Sequence, residues 1–123
     1  MPACSDMVVA LVDDDASFRS GLAALLRDDG HEVREFADPR EVAHREIDAF
    51  DFLATDYHMA DVDGLTFADR VHQRVPELPV MLITAYWTAE VEAAVAARPF
   101  LHLCRKPVDY DHLHARIHAL IGA

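Results

Sequence analysis

Five short apolar runs, separated by stretches with the apolar spacing of helices, constrain the fold of this chain more than any other feature. The first run, Val8–Val12, is continuously apolar, which is typical of a strand buried on both faces. The other runs lie at Phe52–Thr55 and at residues 31–36, 80–83 and 101–104. Strands that alternate with helices form a parallel sheet covered on both faces. We therefore predict an α/β fold with one five-stranded parallel sheet.

Helical stretches are expected after each of the five strands. They are predicted at residues 18–26, 38–47, 65–75, 88–97 and 109–121. The apolar stripe of the first includes Leu25, and Gly30 can close that helix because glycine adopts the left-handed conformation readily. Asp38, Thr88 and Asp109 carry side-chain oxygens that can cap the second, fourth and fifth helices.

Composition limits the functions that the chain can have. Its 123 residues are the usual size of one domain, and the 22 acidic and 11 basic residues give a formal charge of −11. This charge argues against direct binding to nucleic acid or to an anionic membrane surface. Cys4 and Cys104 are too few for a disulfide framework. No apolar run approaches the roughly 18 residues of a membrane span, so we expect no membrane insertion and a cytoplasmic location.

Polar residues follow four of the predicted strands. Asp13 and Asp14 come after the first strand, Asp56 after the third, Thr84 after the fourth and Lys106 after the fifth. The carboxyl ends of parallel strands lie at one edge of a sheet, so these side chains should converge there. If the strand order is 2-1-3-4-5, the crevice between strands one and three is the expected ligand site.

The chemistry of these groups points to phosphoryl transfer. Crowded carboxylates stay ionised together only when a cation joins them, and oxygen ligands of this kind suit Mg²⁺. A carboxylate beside Mg²⁺ can attack a phosphoryl group and form an acyl phosphate. Lys106 and Thr84 would hold the phosphoryl oxygens that the metal does not reach.

Together these motifs resemble the receiver domains of two-component response regulators. The resemblance rests on Asp13-Asp14, on Asp56 with Met59 and Gly64 downstream, on Thr84-Ala85 and on Lys106-Pro107, and it covers residues 7–121. It implies a flavodoxin-like, doubly wound fold with strand order 2-1-3-4-5 and five flanking helices. It also implies that residues 1–123 form a single receiver domain, with its core at about residues 7–121.

The resemblance also implies a ligand set for Mg²⁺. By analogy with the family, Asp14 binds the metal directly and Asp13 binds it mostly through water. Asp56 is the third carboxylate of the site, and the main-chain carbonyl of His58 is a further ligand.

The same resemblance assigns the phosphoryl chemistry. Asp56 is the expected phosphoacceptor, and Thr84 and Lys106 are expected to contact the phosphoryl oxygens. The bond between Lys106 and Pro107 is expected to be cis, although only about one X–Pro bond in twenty is cis in folded proteins.

The sequence departs from the family at three places. Ala60 stands where many receivers have proline, which predicts a looser loop after Asp56. Leu103 stands where the family has its switch aromatic residue, and Pro99-Phe100 replaces a common Gly-Ala pair. We therefore predict an intact phosphorylation site and an atypical output face.

His58 and Tyr86 lie two residues after Asp56 and Thr84, at places that flank the phosphoryl group in receivers. Their bulk predicts restricted access of water and slow hydrolysis of the phosphoryl group.

Three histidines near the end of the chain, His112, His114 and His118, raise a separate question. His114 and His118 are four residues apart on the last helix, a spacing compatible with a metal site. A solvated helix face beside the apolar stripe is the interpretation that the sequence favours.

The leading hypothesis is a signalling switch rather than a metabolic enzyme. A sensor histidine kinase or a phosphotransfer protein would donate the phosphoryl group to Asp56. The fourth predicted helix, the fifth strand and the fifth predicted helix would then form a changed face for an unidentified downstream protein, and a homodimer could form through that face.

One alternative is a receiver-like scaffold that binds protein independently of phosphate. A weaker alternative is a Mg²⁺-dependent phosphatase of the haloacid-dehalogenase type, which Asp13-Asp14-Asp15-Ala16-Ser17 faintly resembles.

Overall fold

A computed structural model of the chain describes residues 7–59 and 62–121, which contain five strands and four α-helices. The strands are β1 (Val8–Val12), β2 (Glu32–Phe36), β3 (Phe52–Thr55), β4 (Val80–Thr84) and β5 (Leu101–Arg105). The helices are α1 (Ala16–Asp28), α2 (Gly64–Arg74), α3 (Ala89–Ala96) and α4 (Tyr110–Ile121). The fourth and fifth predicted helices are therefore α3 and α4. Ala60, where a looser loop was predicted, lies outside the described residues.

The sheet has the order β2-β1-β3-β4-β5, and all neighbouring strands are parallel. Val12, the last residue of β1, is paired with Phe36 of β2 on one side and with Thr55 of β3 on the other. The chain leaves β1 in one direction along the sheet and β3 in the other, so the switch point lies between these strands. The predicted fold class is confirmed.

The core consists of two layers, one on each face of the sheet. Val9 and Leu11 of β1 pack into the layer that α1 and α4 cover, whereas Ala10 and Val12 pack into the layer that α2 and α3 cover. Alternate residues point to opposite faces of a strand, which explains why β1 is apolar throughout. Each fully buried large side chain, such as Leu53, contributes about 1.5–3 kcal/mol to stability.

The second predicted helix consists of two short 3₁₀ segments, Pro39–Glu41 and His44–Ala49. Asp38 caps the first, as predicted, by accepting a hydrogen bond from the amide of Arg40. Apolar residues that are buried or pack on the core follow in steps of three within each part, from position 39 to 42 and from 47 to 50. A step of three matches the 3₁₀ period, whereas the step of five between the parts fits neither helix type. The spacing of its apolar residues therefore matches two separate 3₁₀ turns better than one α-helix.

The ends of α1 show one confirmed prediction and one that is wrong. Gly30 has φ 93° and closes the helix, with the amide of Gly30 bonded to the carbonyl of Arg27 and the amide of His31 bonded to that of Leu26. These two bonds define a Schellman motif. Leu25, placed by the sequence in the buried stripe, is 45% exposed. Leu22, Ala23 and Leu26 are the buried residues of this helix.

The predicted caps of the last two helices are present. Thr88 accepts a hydrogen bond from the amide of Val91, and Asp109 accepts one from the amide of His112. None of the helices in the described part of the chain has the length and apolar character needed to cross a bilayer.

Strand β2 lies at one edge of the sheet and carries charged side chains there. Arg34 forms ion pairs with Glu32 at 3.0 Å and with Glu46 of the following connection at 3.6 Å. These pairs lie on the outermost strand of the sheet, which among the described residues pairs with β1 alone.

Candidate functional site

The structure brings the predicted polar residues together at the carboxyl edge of the sheet. Asp13 and Asp14 follow β1 and Asp56 follows β3, so all three flank the switch point. Each offers one carboxylate oxygen, and these oxygens lie within 4.8 Å of one another. Thr84 ends β4 and is buried, and Lys106 directly follows β5. We call these five residues the carboxylate site.

Lys106 links the two sides of the carboxylate site. Its Nζ lies 2.9 Å from Oδ2 of Asp13 and 3.6 Å from Oδ2 of Asp56, and its side chain is only 13% exposed. The ring of Phe18 lies 4.2 Å from the same nitrogen. The peptide bond between Lys106 and Pro107 is cis, as predicted.

Burial, hydrogen bonds and neighbouring charges within the site shift the pKa values of two groups. Burial, the largest influence, raises the pKa of Asp13 above its ordinary 3.8, and the charge of Asp56 acts in the same direction. Hydrogen bonds from Lys106 and from the amide of Asp15 oppose this rise. Burial alone would lower the pKa of Lys106, but its hydrogen bond to Asp13 and the nearby carboxylates raise it above 10.5. Lys106 is therefore a permanent cation at neutral pH.

The three carboxylates fit a hard divalent cation. They supply only oxygen donors, which suit Mg²⁺ better than softer metals. One ammonium group faces three acids in the site, so a further positive charge would offset the repulsion among them. Asp14 is exposed while Asp13 is buried, so the cluster opens to solvent on the side of Asp14.

Backbone amides orient the acceptor groups of the site. The amide of Tyr57 donates to Oδ1 of Asp56 at 2.7 Å, which leaves Oδ2 on the side of Lys106. The amide of Tyr86 donates to the hydroxyl oxygen of Thr84 at 2.9 Å. The hydroxyl hydrogen of Thr84 can consequently donate to an anion in the opening.

Gly64, the first residue of α2, lies against the backbone of Asp56. A Cβ atom at this position would be 2.1 Å from the carbonyl oxygen of Asp56 and 2.8 Å from Cδ1 of Leu82. The amide of Gly64 also donates to the carbonyl of Tyr57 at 2.9 Å. The helix can start this close to the acid only because residue 64 has no side chain.

Three aromatic rings stand beside the opening. Tyr57 and Tyr86 are stacked, with centroids 5.3 Å apart and planes 3° apart. His58 contacts both edge-on, at 4.9 Å from Tyr57 and 4.2 Å from Tyr86. His58 and Tyr86 also line the depression that contains Asp56, Thr84 and Lys106. The sequence indicated His58 and Tyr86 but not Tyr57, because nothing in the pattern shows that the rings on two loops meet.

The region of the predicted output face has its own contacts. Leu103 is half-buried and packs against the core, and its carbonyl accepts a hydrogen bond from Arg116 of α4 at 3.0 Å. Phe100 stacks on His72 of α2, with centroids 3.9 Å apart. Trp87 lies under the guanidinium of Arg105 at 4.8 Å. An aliphatic side chain thus occupies the middle of β5, and the aromatic ring of Trp87, which is half-buried, contacts a cation at the end of that strand.

Comparison with known proteins identifies relatives over almost the whole chain. A family model described as the response regulator receiver domain matches residues 9–118. The transcriptional regulatory protein ZraR of Escherichia coli (strain K12) is 31% identical over 110 residues, covering 89% of this chain and 25% of that protein. The transcriptional regulatory protein BasR of the same organism is 31% identical over 120 residues, covering 94% and 52%. The chain thus spans between a quarter and about half of these relatives.

Solved structures show the same fold. The receiver domain of the hybrid histidine kinase CckA has a TM-score of 0.78 and 28% identity, covering 93% of this chain and 98% of that one. A CheY-like receiver domain protein from Methanospirillum hungatei JF-1 has a TM-score of 0.86 and 21% identity, covering 94% of each chain. At that lower identity the second likeness concerns the fold alone.

Proposed function

The chain belongs to the response regulator receiver domain family, and from this premise we propose that Asp56 accepts a phosphoryl group from a sensor histidine kinase or a phosphotransfer protein. Receiver domains are signalling phosphoacceptors rather than metabolic enzymes, and they interact with such donors. The observation that carries the proposal is the convergence of three carboxylates, a lysine and a threonine at the switch point of the sheet. We assign residues 1–123 to a single receiver domain of the cytoplasm.

Receiver domains generally bind Mg²⁺ in an acidic pocket, and the carboxylate site fits that ion. Asp13, Asp14 and Asp56 would hold it, together with the main-chain carbonyl of His58. When bound, Mg²⁺ supplies positive charge that offsets the repulsion between the acids and an incoming phosphoryl group. The exposed side of the cluster, at Asp14, is the open route for the ion.

The transfer itself follows from the orientation of Asp56. Oδ1 accepts the amide hydrogen of Tyr57, so Oδ2 is the oxygen placed to attack phosphorus. As the bond from Oδ2 to phosphorus forms, the bond from phosphorus to the donor imidazole nitrogen breaks, and that nitrogen keeps the electron pair. The ammonium of Lys106, 3.6 Å from Oδ2, and the hydroxyl of Thr84 stabilise the charge on the phosphoryl oxygens.

Phosphorylation would redistribute the contacts of Lys106. Its Nζ lies closer to Asp13 than to Asp56, by 2.9 Å against 3.6 Å. The acyl phosphate carries a charge of about −1.5 to −2 in place of the single charge of the carboxylate, and the extra negative charge draws Lys106 and Thr84 toward Asp56. Both residues end or follow strands that border α3 and α4, so the change reaches the face formed by α3, β5 and α4. That face would bind a downstream protein or a second copy of the chain.

A hydrolase of the haloacid-dehalogenase type is less well supported. That reaction needs the first and third acids of the run, here Asp13 and Asp15. Asp15 caps α1, and its carboxylate accepts a hydrogen bond from the amide of Phe18 at 3.1 Å. Asp15 therefore serves as a helix cap, and Asp56 would have no role in the hydrolase mechanism.

The proposal is tested by intact-protein mass spectrometry after incubation with acetyl phosphate and Mg²⁺. We expect the wild type to gain the mass of one phosphoryl group and Asp56→Asn to gain none. Asp111→Asn, which changes an exposed acid on α4, is the matched control and should behave as the wild type. Incorporation into Asp56→Asn would contradict the proposal. A folded wild type that gains nothing from either acetyl phosphate or phosphorylated histidine kinases would favour the phosphate-independent scaffold.

A further inference from the structure

A second cluster of metal-binding side chains lies away from the carboxylate site. His31, which directly precedes β2, meets His114 and His118 of α4. Because β2 begins at the amino edge of the sheet, His31 is at the opposite edge from Asp13 and Asp56. We call His31, His114 and His118 the histidine cluster. None of these residues takes part in the proposed phosphoryl transfer.

Two local structures hold the histidine cluster in place. The Schellman motif at the end of α1 fixes the backbone of His31, whose amide donates to the carbonyl of Leu26 at 3.2 Å. His31 is only 4% exposed. His114 and His118 are four residues apart in α4, so both project from the same face of the helix. The interpretation as a solvated face holds for His112, which is exposed, but not for His114 and His118, which are half-buried.

The distances within the cluster approach those of a metal site. Nε2 of His31 lies 2.9 Å from Nε2 of His114, and one ring nitrogen from each of the three histidines lies within 4.8 Å of the others. Ligand nitrogens at 2.0–2.1 Å from a tetrahedral Zn²⁺ are about 3.4 Å apart. Small side-chain rotations would therefore bring the three nitrogens to the ligand distance.

His118 gives an independent indication of a missing ligand. Its Nε2 is buried and has no hydrogen-bond partner among residues 7–59 and 62–121. Its ring centroid lies 4.2 Å from that of His114 and 6.2 Å from that of His31. Buried polar atoms are nearly always paired, so a metal ion among the three rings would satisfy this nitrogen.

The surroundings of His114 are those of a supported ligand. Oδ2 of Asp29 lies 3.7 Å from Nδ1 of His114, on the other side of the ring from the Nε2 that faces His31. The hydroxyl of Tyr110 donates to the same carboxylate oxygen at 2.6 Å, and its ring stacks on His114 with centroids 5.3 Å apart. At 3.7 Å this contact is not a hydrogen bond, but a small movement of Asp29 would make it one, and a carboxylate hydrogen-bonded to a histidine fixes the ring that binds metal.

We propose that the histidine cluster is a second metal site, specific for an imidazole-binding transition-metal dication such as Zn²⁺. Three imidazole nitrogens suit Zn²⁺ far better than Mg²⁺, so the two sites of the domain take different ions. Three protein ligands leave a fourth position for water or a further donor. The ion joins α4 to the edge of the sheet at the end of α1, so binding stabilises the folded domain by mass action.

The test is calorimetric titration with Zn²⁺ in the presence of excess Mg²⁺, which competes at the carboxylate site. We expect one equivalent of Zn²⁺ to bind to the wild type and to Asp56→Asn. His118→Gln removes a ligand but keeps the contact between His31 and His114, and it should weaken binding by more than about tenfold. His112→Gln, the matched control on the same helix, should bind as the wild type does.

A second variant and a second readout guard against loss of folding. His114→Gln should weaken binding as His118→Gln does, with circular dichroism establishing that both variants remain folded. Co²⁺ bound to the wild type should show the visible absorption of a tetrahedral, nitrogen-bound ion. Absence of Zn²⁺ binding to the wild type would overturn the proposal, as would unchanged affinity in both histidine variants or loss of binding in Asp56→Asn. Because Asp56→Asn also abolishes phosphorylation, the outcomes for the two sites are distinguishable.

Discussion

Replacement of Gly64 by alanine tests the geometry of the carboxylate site most directly. The added Cβ would start 2.1 Å from the carbonyl oxygen of Asp56 and 2.8 Å from Cδ1 of Leu82. The leucine methyl can rotate away, but the carbonyl belongs to the backbone. An ordinary contact needs about 3.4 Å, so the start of α2 and the Asp56 backbone must separate by about 1.3 Å.

The size of the effect follows from this displacement. Overpacking of this kind destabilises a domain by about 1–3 kcal/mol. The higher helix propensity of alanine offsets at most about 1 kcal/mol of this destabilisation, and less at the first position of a helix. We expect a net loss of about 2 kcal/mol, or a melting temperature lowered by about 5–10 °C. A displacement of 1 Å at a reacting group slows the reaction by about 10²-fold, and we expect that loss in the rate of phosphorylation.

Two measurements on Gly64→Ala check this reasoning. Urea unfolding gives the change in stability, and timed intact-mass spectra with acetyl phosphate and Mg²⁺ give the rate at Asp56. Gly21→Ala is the matched control, because a Cβ at Gly21 of α1 would meet no atom within 4 Å. It should stabilise the domain by about 0.5–1 kcal/mol and leave the rate unchanged. A Gly64→Ala protein as stable and as rapidly phosphorylated as the wild type would refute the close approach of α2 to Asp56.

Two further predictions concern other parts of the domain. Replacing His58 and Tyr86 together by alanine removes two of the rings beside the opening and should shorten the lifetime of the phosphoryl group, measured as its decay in intact-mass spectra; an unchanged decay would show that the rings do not restrict water. The hydrogen bond from Arg98 lowers the pKa of Asp69 below its ordinary 3.8, so the pair stabilises the fold above that pH and loses its effect as the pH falls through the lowered value. Arg98→Gln should therefore be less stable than the wild type at pH 7, with less than about 1 kcal/mol coming from this pair because Asp69 is 41% exposed, and the difference should become smaller in acid, where only the hydrogen bond from Arg98 to the carbonyl of Ala94 is lost. A difference of equal size at pH 7 and pH 2 in urea unfolding would contradict this assignment.

The sequence was most informative about residues within a strand or directly after one, because the position of the strand in the sheet determines their surroundings. Val8–Val12 and Phe52–Thr55 are buried on both faces, so their apolar runs have the same bounds as the strands. Asp13 and Asp56 follow those strands directly, and parallel strands bring their carboxyl ends together, so the carboxylate site was predictable. The roles of its residues in metal binding and phosphoryl transfer remain predictions.

The sequence was less informative where contacts join distant segments. His31 and His114 are 83 residues apart and meet only because the end of α1 packs beside α4, which no local pattern indicates. Leu25 has the spacing of a buried residue, but only part of the apolar face of α1 contacts the sheet, and Leu25 lies outside that part. The two 3₁₀ segments also escaped prediction, because capping residues mark where a helical turn starts and not which period it follows.

The charged edge of the sheet has a consequence for the behaviour of the chain at high concentration. An outer strand with free amide and carbonyl groups can template the growth of a sheet from one molecule into the next. On β2, an approaching strand would lie beside the charged side chains of Glu32, Arg34 and Glu46 and would remove part of their hydration, which costs free energy. The ion pairs along this strand therefore act against aggregation by edge-to-edge pairing, a protection that a neutral strand of the same length would lack.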